Sequence, residues 1–317
     1  MHRSNVINLV IGCTARKRLG VCDKIRLQDI PRFSIAERIE RWVALLDQFD
    51  SSESAVCAFD LYCGGAWSII SDAITRSTKR FNVNLGVVSA GYGLVRPNER
   101  LVPYSATFAR RHPDAVLSAG GASSELKTWW RELSRWRFLN NRTPASIEQL
   151  ASMSGEQPLL IALSADYLTA VADDLILARK ELRTPDLMII VSSGANKNGP
   201  LAENFLPCDA RLEHVFGGVR SSLNARILRH ILETESAATM RMSHVKPKFE
   251  LLLKQQPSAR TFRRQRMNDD EVIEFIQTCL AESPGRSCST LLAALRRSNH
   301  ACEQSRFRKI FTTAKTS

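Results

Sequence analysis

Short apolar runs that stop at small, polar turns recur along this chain and restrict its fold more than any other feature. Val6–Ile11, Leu85–Val88, Pro158–Leu163 and Asp186–Val191 are aliphatic or β-branched and short, so they read as buried strands. They end in Gly12-Cys13-Thr14-Ala15, Ser89-Ala90-Gly91-Tyr92-Gly93, Ser164-Ala165-Asp166-Tyr167 and Ser192-Ser193-Gly194-Ala195. Helical periods lie between and after them: Ile35–Phe49 behind Ser34 as N-cap, Ile69–Ile74, Ser123–Trp136, Leu168–Leu182 and Leu223–Glu233. Two weaker runs, Ala55–Phe59 and Arg211–Phe216, read as further strands ending in Asp60-Leu61-Tyr62 and Gly217-Gly218-Val219-Arg220. Strands alternating with helices predict an α/β fold with a mainly parallel central sheet flanked by helices. The tryptophans of Ser123–Trp136 fall on one helical stripe and are expected in the core.

In open α/β sheets, ligands bind just outside the carboxyl ends of the strands. Four strands ending in small, polar turns therefore predict one shared pocket. Its centre is the passage Leu85–Phe108, where glycines, the carboxylate of Glu99 and the phenol of Tyr104 fall in one loop. The candidate catalytic residues are Asp60, Glu99 and Tyr104. Asp60 serves equally well as a helix N-cap, and Glu99 as a salt-bridge partner of Arg96 or Arg100. The candidate pocket consists of Cys13, Thr14, Tyr62, Ser89, Ala90, Gly91, Tyr92, Gly93, Ser164, Asp166, Ser192 and Ser193. Arg16, Lys17, Arg220 and Asn224 are candidates for binding phosphate, although Gly12–Arg18 lacks Walker A spacing.

Charge adds a second theme. The formal net charge is +12, and Val245–Ser317 holds 14 Lys/Arg against 7 Asp/Glu. A concentrated basic segment points to a polyanion, of which nucleic acid is the commonest. Residues 1–235 are expected to form the α/β domain, 236–268 a basic linker with room for one helix, interrupted by Pro247 and Pro257, and 269–317 a small helical domain. Helices over Asp269–Glu282, Ser289–Arg297 and Ala301–Thr313, with a short turn before the last, fit a helix-turn-helix-like module. On the last helix, Gln304, Arg306, Arg308 and Lys309 are expected to face a groove while Phe307, Ile310 and Phe311 pack inward. DNA is the expected partner.

No metal and no cofactor is expected. None of the eight cysteines forms a Cys-x-x-Cys pair or has a histidine at zinc-finger spacing, so they read as free thiols. A cluster on Cys279, Cys288 and Cys302 is the alternative. The apolar run near the N-terminus is too short for a signal peptide, and no run approaches the roughly 20 residues of a membrane span, so a cytoplasmic protein without a membrane partner is expected. No obligate protein partner is predicted.

Cys13-Thr14-Ala15-Arg16-Lys17, Asp60-Leu61-Tyr62, the block Ser89–Tyr104 and Gly217-Gly218-Val219-Arg220 through Asn224 together resemble the motifs of a known superfamily. It includes the peroxide-stress protein YaaA and the accessory domain of archaeosine tRNA-guanine transglycosylases, with the uracil-DNA glycosylase fold as a distant relative. Within it the chain is most similar to anti-phage DNA glycosylases that excise glucosylated hydroxymethylcytosine. The resemblance covers roughly residues 5–235. The uracil glycosylases' Gly-Gln-Asp-Pro-Tyr and His-Pro-Ser runs are absent, so uracil is not the expected base; the one His-Pro here is His112-Pro113-Asp114.

The resemblance implies a DNA glycosylase that flips a modified base from the stack and hydrolyses its N-glycosidic bond. A carboxylate, Glu99 or Asp60, would stabilise the charged sugar or activate water, the amides of Ser89–Gly93 would hold the departing base, and Tyr92 or Tyr104 would stack on it. Two other classes stay open at this point. One is a base-exchange enzyme acting on tRNA or 7-deazaguanine; the other is a DNA-binding protein without catalysis.

Overall fold

The computed structural model describes residues 5–20, 24–31, 33–49, 54–110, 112–117, 121–195, 198–257 and 264–316. The chain divides into two compact units, Met1–Pro257 and Ser258–Ser317.

The first unit begins with β1 (Val6–Gly12) and α1 (Ile35–Phe49). Ser34 and Glu37 bond each other's backbone N–H at the start of α1, a capping box that fixes where the helix begins. There follow β2 (Val56–Cys57), α2 (Ala58–Leu61), α3 (Gly65–Ser77), β3 (Asn82–Ser89), β4 (Gly93–Val95) and β5 (Arg100–Leu101). The second half contributes α4 (Ser123–Leu139), α5 (Ile147–Ser152), β6 (Leu159–Ala162), α6 (Ala165–Glu181), β7 (Met188–Val191), α7 (Glu213–Phe216), α8 (Leu223–Thr234) and α9 (Met242–Lys254).

The central sheet has five strands in the order β4-β3-β1-β6-β7. Only β4 runs antiparallel. Every residue of β6 and β7 is buried, as are Ile7–Ile11 of β1, because helices cover both faces of a parallel sheet. α4, α5 and α6 pack together with α5 on β1, while α8 packs on β6, β7 and α3. The tryptophans of α4 are core residues: Trp129 and Trp130 are almost wholly buried. Among the described residues no helix is long and apolar enough to cross a membrane.

Taken in chain order, the four parallel strands lie 2-1-3-4. The chain steps from β1 to one side and then to the other, so the topological switch point falls between the carboxyl ends of β1 and β6.

Three expectations are corrected. Ala55–Phe59 is a strand only at Val56–Cys57; Ala58–Leu61 turns helical, which places Asp60 in a helical turn instead of at a strand end. Arg211–Phe216 is not a strand: Asp209 accepts the Arg211 N–H at 2.9 Å and starts a 3-10 turn that runs into α7. Of the span expected as a linker, 236–268, residues 236–257 belong to the first unit, and the one helix expected there is α9. α9 passes through Pro247, because a proline near a helix start removes only one intrahelical bond and Val245 and Phe249 are buried in the main core.

The second unit contains β8 (Gln265–Arg266), α10 (Asp269–Glu282), α11 (Cys288–Arg297), β9 (His300–Ala301) and α12 (Gln304–Thr316). β8 and β9 pair in parallel. The three helices enclose a separate core of Val272, Ile276, Leu291, Leu295 and Phe307. α10 opens on a capping box of Asn268 and Glu271, and Asn299, in the turn before β9, takes a positive φ of 66°.

Candidate functional site

Five segments converge at the carboxyl ends of β1, β3 and β6. The loop after β1 carries Cys13 and Lys17, and the Cys13 N–H prolongs the ladder by donating to Val88 O at 2.9 Å. This loop lies along the segment after α2, where Lys17 and Tyr62 form an antiparallel bridge. β3 ends on Ser89. The extended segment after β5 supplies Tyr104 and Thr107, and the first turn of α6 supplies Tyr167.

The side chains form one hydrogen-bonded cluster. Ser89 Oγ lies 2.6 Å from Tyr104 Oη, which lies 3.0 Å from Tyr62 Oη. Tyr104 Oη donates to Cys13 Sγ at 3.7 Å, and Cys13 Sγ is 3.3 Å from Tyr167 Oη. Thr107 Oγ1 extends the cluster from Tyr167 at 3.5 Å. The Lys17 ammonium sits over the Tyr104 ring, 4.3 Å from its centroid.

Burial governs the titration of these groups. It pushes the phenols of Tyr62, Tyr104 and Tyr167 well above the ordinary tyrosine range, and the facing Cys13 adds to the rise. All three therefore remain protonated hydrogen-bond donors at neutral pH. Burial also lowers Lys17, an effect partly offset by Cys13, Asp114 and Cys63.

Asp114 is the buried carboxylate of this neighbourhood, and nothing in its local sequence marks it. It is 4% exposed. One oxygen accepts the Gln28 N–H at 3.0 Å and the other accepts Ser105 Oγ at 2.7 Å. Thr107 and Tyr167 were missed as well. The signals available for them were a tyrosine in the first turn after a strand and a threonine at the edge of the glycine-rich passage.

The three expected catalytic residues separate. Tyr104 is in the cluster. Glu99 is instead bound by both Nη atoms of Arg137 at 2.9 Å and by Arg142 at 3.0 Å. Burial favours its neutral form, but the Arg137 bonds and charge, with the Arg96 amide and Arg142, hold it below the usual carboxylate range. Asp60 is exposed on α2. Among the described residues no hydrogen bond or ion pair joins Glu99 or Asp60 to the cluster.

The glycine passage serves the fold more than a ligand. The amides of Gly91 and Tyr92, expected to hold a departing base, both donate to Ser89 Oγ, at 3.1 and 2.9 Å. Carbonyls of Ala90 and Gly91 accept the indole N–H groups of Trp129 and Trp42. Gly93 has a φ of +73° and lies against Arg137. Tyr92 and Tyr104 are 4% and 0% exposed, so neither presents an open stacking face in this conformation.

The remaining pocket candidates line the same edge without joining the cluster. Thr14 bonds the Arg16 carbonyl at 2.9 Å and closes the loop after β1; the Arg16 side chain is exposed. Ser164 is exposed, and Asp166 pairs with Arg110 at 3.5 Å. Ser192 is fully buried with its hydroxyl unpartnered among the described residues. Asn224 accepts the Ser193 N–H at 3.0 Å and donates to Leu163 O at 3.0 Å, tying together the ends of β7 and β6. It is thus a structural clasp. Arg220 is exposed and lies 3.7 Å from Glu213.

In the second unit, Phe307 and Ile310 pack inward and Gln304, Arg308 and Lys309 are exposed. Arg306 departs from expectation, because its guanidinium is turned back onto Asp269 and the Met267 carbonyl. Among the described residues no three His, Cys, Asp or Glu side chains gather as a metal site, and the seven described cysteines are free. Neither a protein-family model nor a curated protein sequence matches the chain.

Proposed function

We propose that this chain is a DNA glycosylase that hydrolyses the N-glycosidic bond of a modified base and leaves an abasic site. The observation that carries the reading is the gathering of Cys13, Lys17, Tyr62, Ser89, Tyr104 and Tyr167 at the switch point of a 2-1-3-4 sheet. Hydrolysis breaks the C1′–N bond, sends its electron pair to the base and adds water to C1′. Negative charge on the base needs a donor that keeps its proton; Lys17 supplies it, and the protonated phenols of Tyr62 and Tyr104, over whose rings its ammonium lies, hold it in place. Positive charge on the sugar needs a nearby carboxylate. Asp114 takes that role in this reading, because it is the buried carboxylate whose backbone pairs with Thr107 of the cluster, the Thr107 N–H donating to Asp114 O at 3.0 Å; exposed Asp60 is the second candidate.

The basic, helix-turn-helix-like second unit supplies affinity for the polymer in which the base resides. Motif resemblance names the substrate to try first, glucosylated hydroxymethylcytosine in viral DNA. Purified protein is incubated with glucosylated phage DNA, with plain DNA and with tRNA, and abasic sites are counted by an aldehyde-reactive probe. Abasic sites confined to the glucosylated DNA are expected, and their loss in Asp114→Asn. No abasic sites on any modified genome would end this reading, and uptake of a labelled free 7-deazaguanine base into the tRNA, supplied in a parallel arm, would replace it.

A further inference from the structure

The second unit has a basic groove that is not the exposed face of α12. Arg264, Arg296 and Arg297 line it together with Ser289 and Gln304, over a floor that includes Leu292. Its volume is about 340 Å³. Arg264 is anchored there, its Nε donating to the Arg296 carbonyl at 3.2 Å near the C-terminus of α11. Among the described residues no acidic side chain lines the groove.

The charge of the unit is segregated around it. Of the six acidic residues in Ser258–Ser317, five (Asp269, Asp270, Glu271, Glu274 and Glu282) lie on α10, and the sixth is Glu303. α11 and α12 carry none. Arg306 spends its charge on Asp269, which leaves Arg308 and Lys309 as the exposed cations of α12's first two turns. Guanidinium forks match phosphate oxygens in pairs.

We infer that this groove binds the sugar-phosphate backbone of a polynucleotide, with Arg264, Arg296 and Arg297 on phosphates and Gln304 beside them. The inference rests on the proposed activity only in naming the polymer, since the contacts involve no base. An acidic protein segment is the competing polyanion. Nucleic acid is favoured because every cation of the groove is an arginine, whose planar fork takes two oxygens of one phosphate, and no acidic side chain of the described residues lies among them.

The test uses the full-length chain and a short unmodified DNA duplex, followed by fluorescence anisotropy across a salt series. Wild-type protein should bind with a steep salt dependence. Arg264→Ala/Arg297→Ala should bind roughly tenfold more weakly, and its log–log salt slope should fall by about 2, near one per lost phosphate contact. Arg264→Lys/Arg297→Lys should retain most of the slope, which separates lost charge from misfolding, and the thermal transition of each variant is recorded alongside. An unchanged slope in the alanine variant overturns the inference, as does a wild-type chain that binds no duplex. Equal competition by polyglutamate and by DNA would assign the groove to an acidic protein and overturn it too. The duplex carries no modified base, so binding here with no abasic sites on glucosylated DNA would remove the enzymatic reading and leave the groove standing.

Discussion

The Ser89 hydroxyl lies 2.6 Å from the Tyr104 phenol oxygen and also accepts the amide N–H groups of Gly91 and Tyr92. A serine oxygen has two lone pairs and one proton. With both lone pairs taken by amides, its proton goes to Tyr104, whose own proton is then directed toward Tyr62 or Cys13. The turn after β3 thereby sets the direction of the whole hydroxyl chain.

Ser89→Ala should therefore act on both fold and chemistry. Two buried amides lose their acceptor, at a cost of about 1–3 kcal/mol each before relaxation. Abasic-site formation should fall on the order of 10²-fold, the usual scale for removing one preorganised donor. Tyr104→Phe should lose comparable activity with a smaller loss of stability, because it leaves the amide contacts of Ser89 in place. Urea unfolding and single-turnover assays separate the two effects. Full activity in both variants would remove the hydroxyl chain from the mechanism.

Gly91→Ala tests the packing behind that chain. A Cβ at this position would run into Tyr104 Cε2 and meet Cδ2 at 2.5 Å, with Trp42 at 3.2 Å. Tyr104 is fully buried and cannot swing into solvent, so overpacking should cost at least about 1–3 kcal/mol. Gly194→Ala, where nothing lies within 4 Å, is the matched control and should be near neutral. Equal melting temperatures for the two would show that the Tyr104 ring yields easily.

The α/β class was legible because the central strands are continuous apolar runs and the helices are amphipathic. Ile35–Phe49 falls where its period and its Ser34 cap place it. The site was legible only in part. Cys13, Tyr62, Ser89 and Tyr104 lie in recognisable strand-end motifs, but their meeting depends on the crossovers that bring β1 between β3 and β6. Lys17 read as a phosphate ligand because a run of cations looks solvated; the bridge to Tyr62 turns it inward. Glu99 misled because its partners Arg137 and Arg142 lie about forty residues away, beyond any local pattern. Asp114 gave no periodic signal, since it is held by Ser105 from the same passage and by the backbone of Gln28, 86 residues away.

Glu99→Gln should destabilise the fold with little direct effect on chemistry. Arg137 is 0% exposed, and loss of the carboxylate leaves its charge buried and uncompensated, a change worth about 3–5 kcal/mol. The pH dependence has a definite sign. Glu99 has a lowered value in the fold, so its contribution is complete above the unfolded value near 4.5 and disappears as pH falls through the folded value. The gap between wild type and Glu99→Gln should thus be widest at neutral pH and narrow below about 4.5. Urea denaturation at several pH values reads it directly; a gap independent of pH would argue against an ionised Glu99.

Lys17→Met should produce the opposite pattern. Burial lowers Lys17 from its ordinary 10.5, so the folded chain holds this proton less tightly than the unfolded chain does. At neutral pH the wild type therefore carries a penalty for a desolvated cation, relieved only as pH rises through the folded value toward 10.5. Methionine fills a similar volume without charge, so the variant should equal or exceed wild-type stability at pH 7, with the advantage shrinking at alkaline pH. Activity should move the other way. If Lys17 stabilises negative charge on the departing base, abasic-site formation should fall on the order of 10²-fold while the fold is retained. Stability gained as activity is lost marks a residue held in place for function at the expense of the fold. A variant that is both less stable at pH 7 and fully active would make Lys17 a packing element over Tyr104 and nothing more.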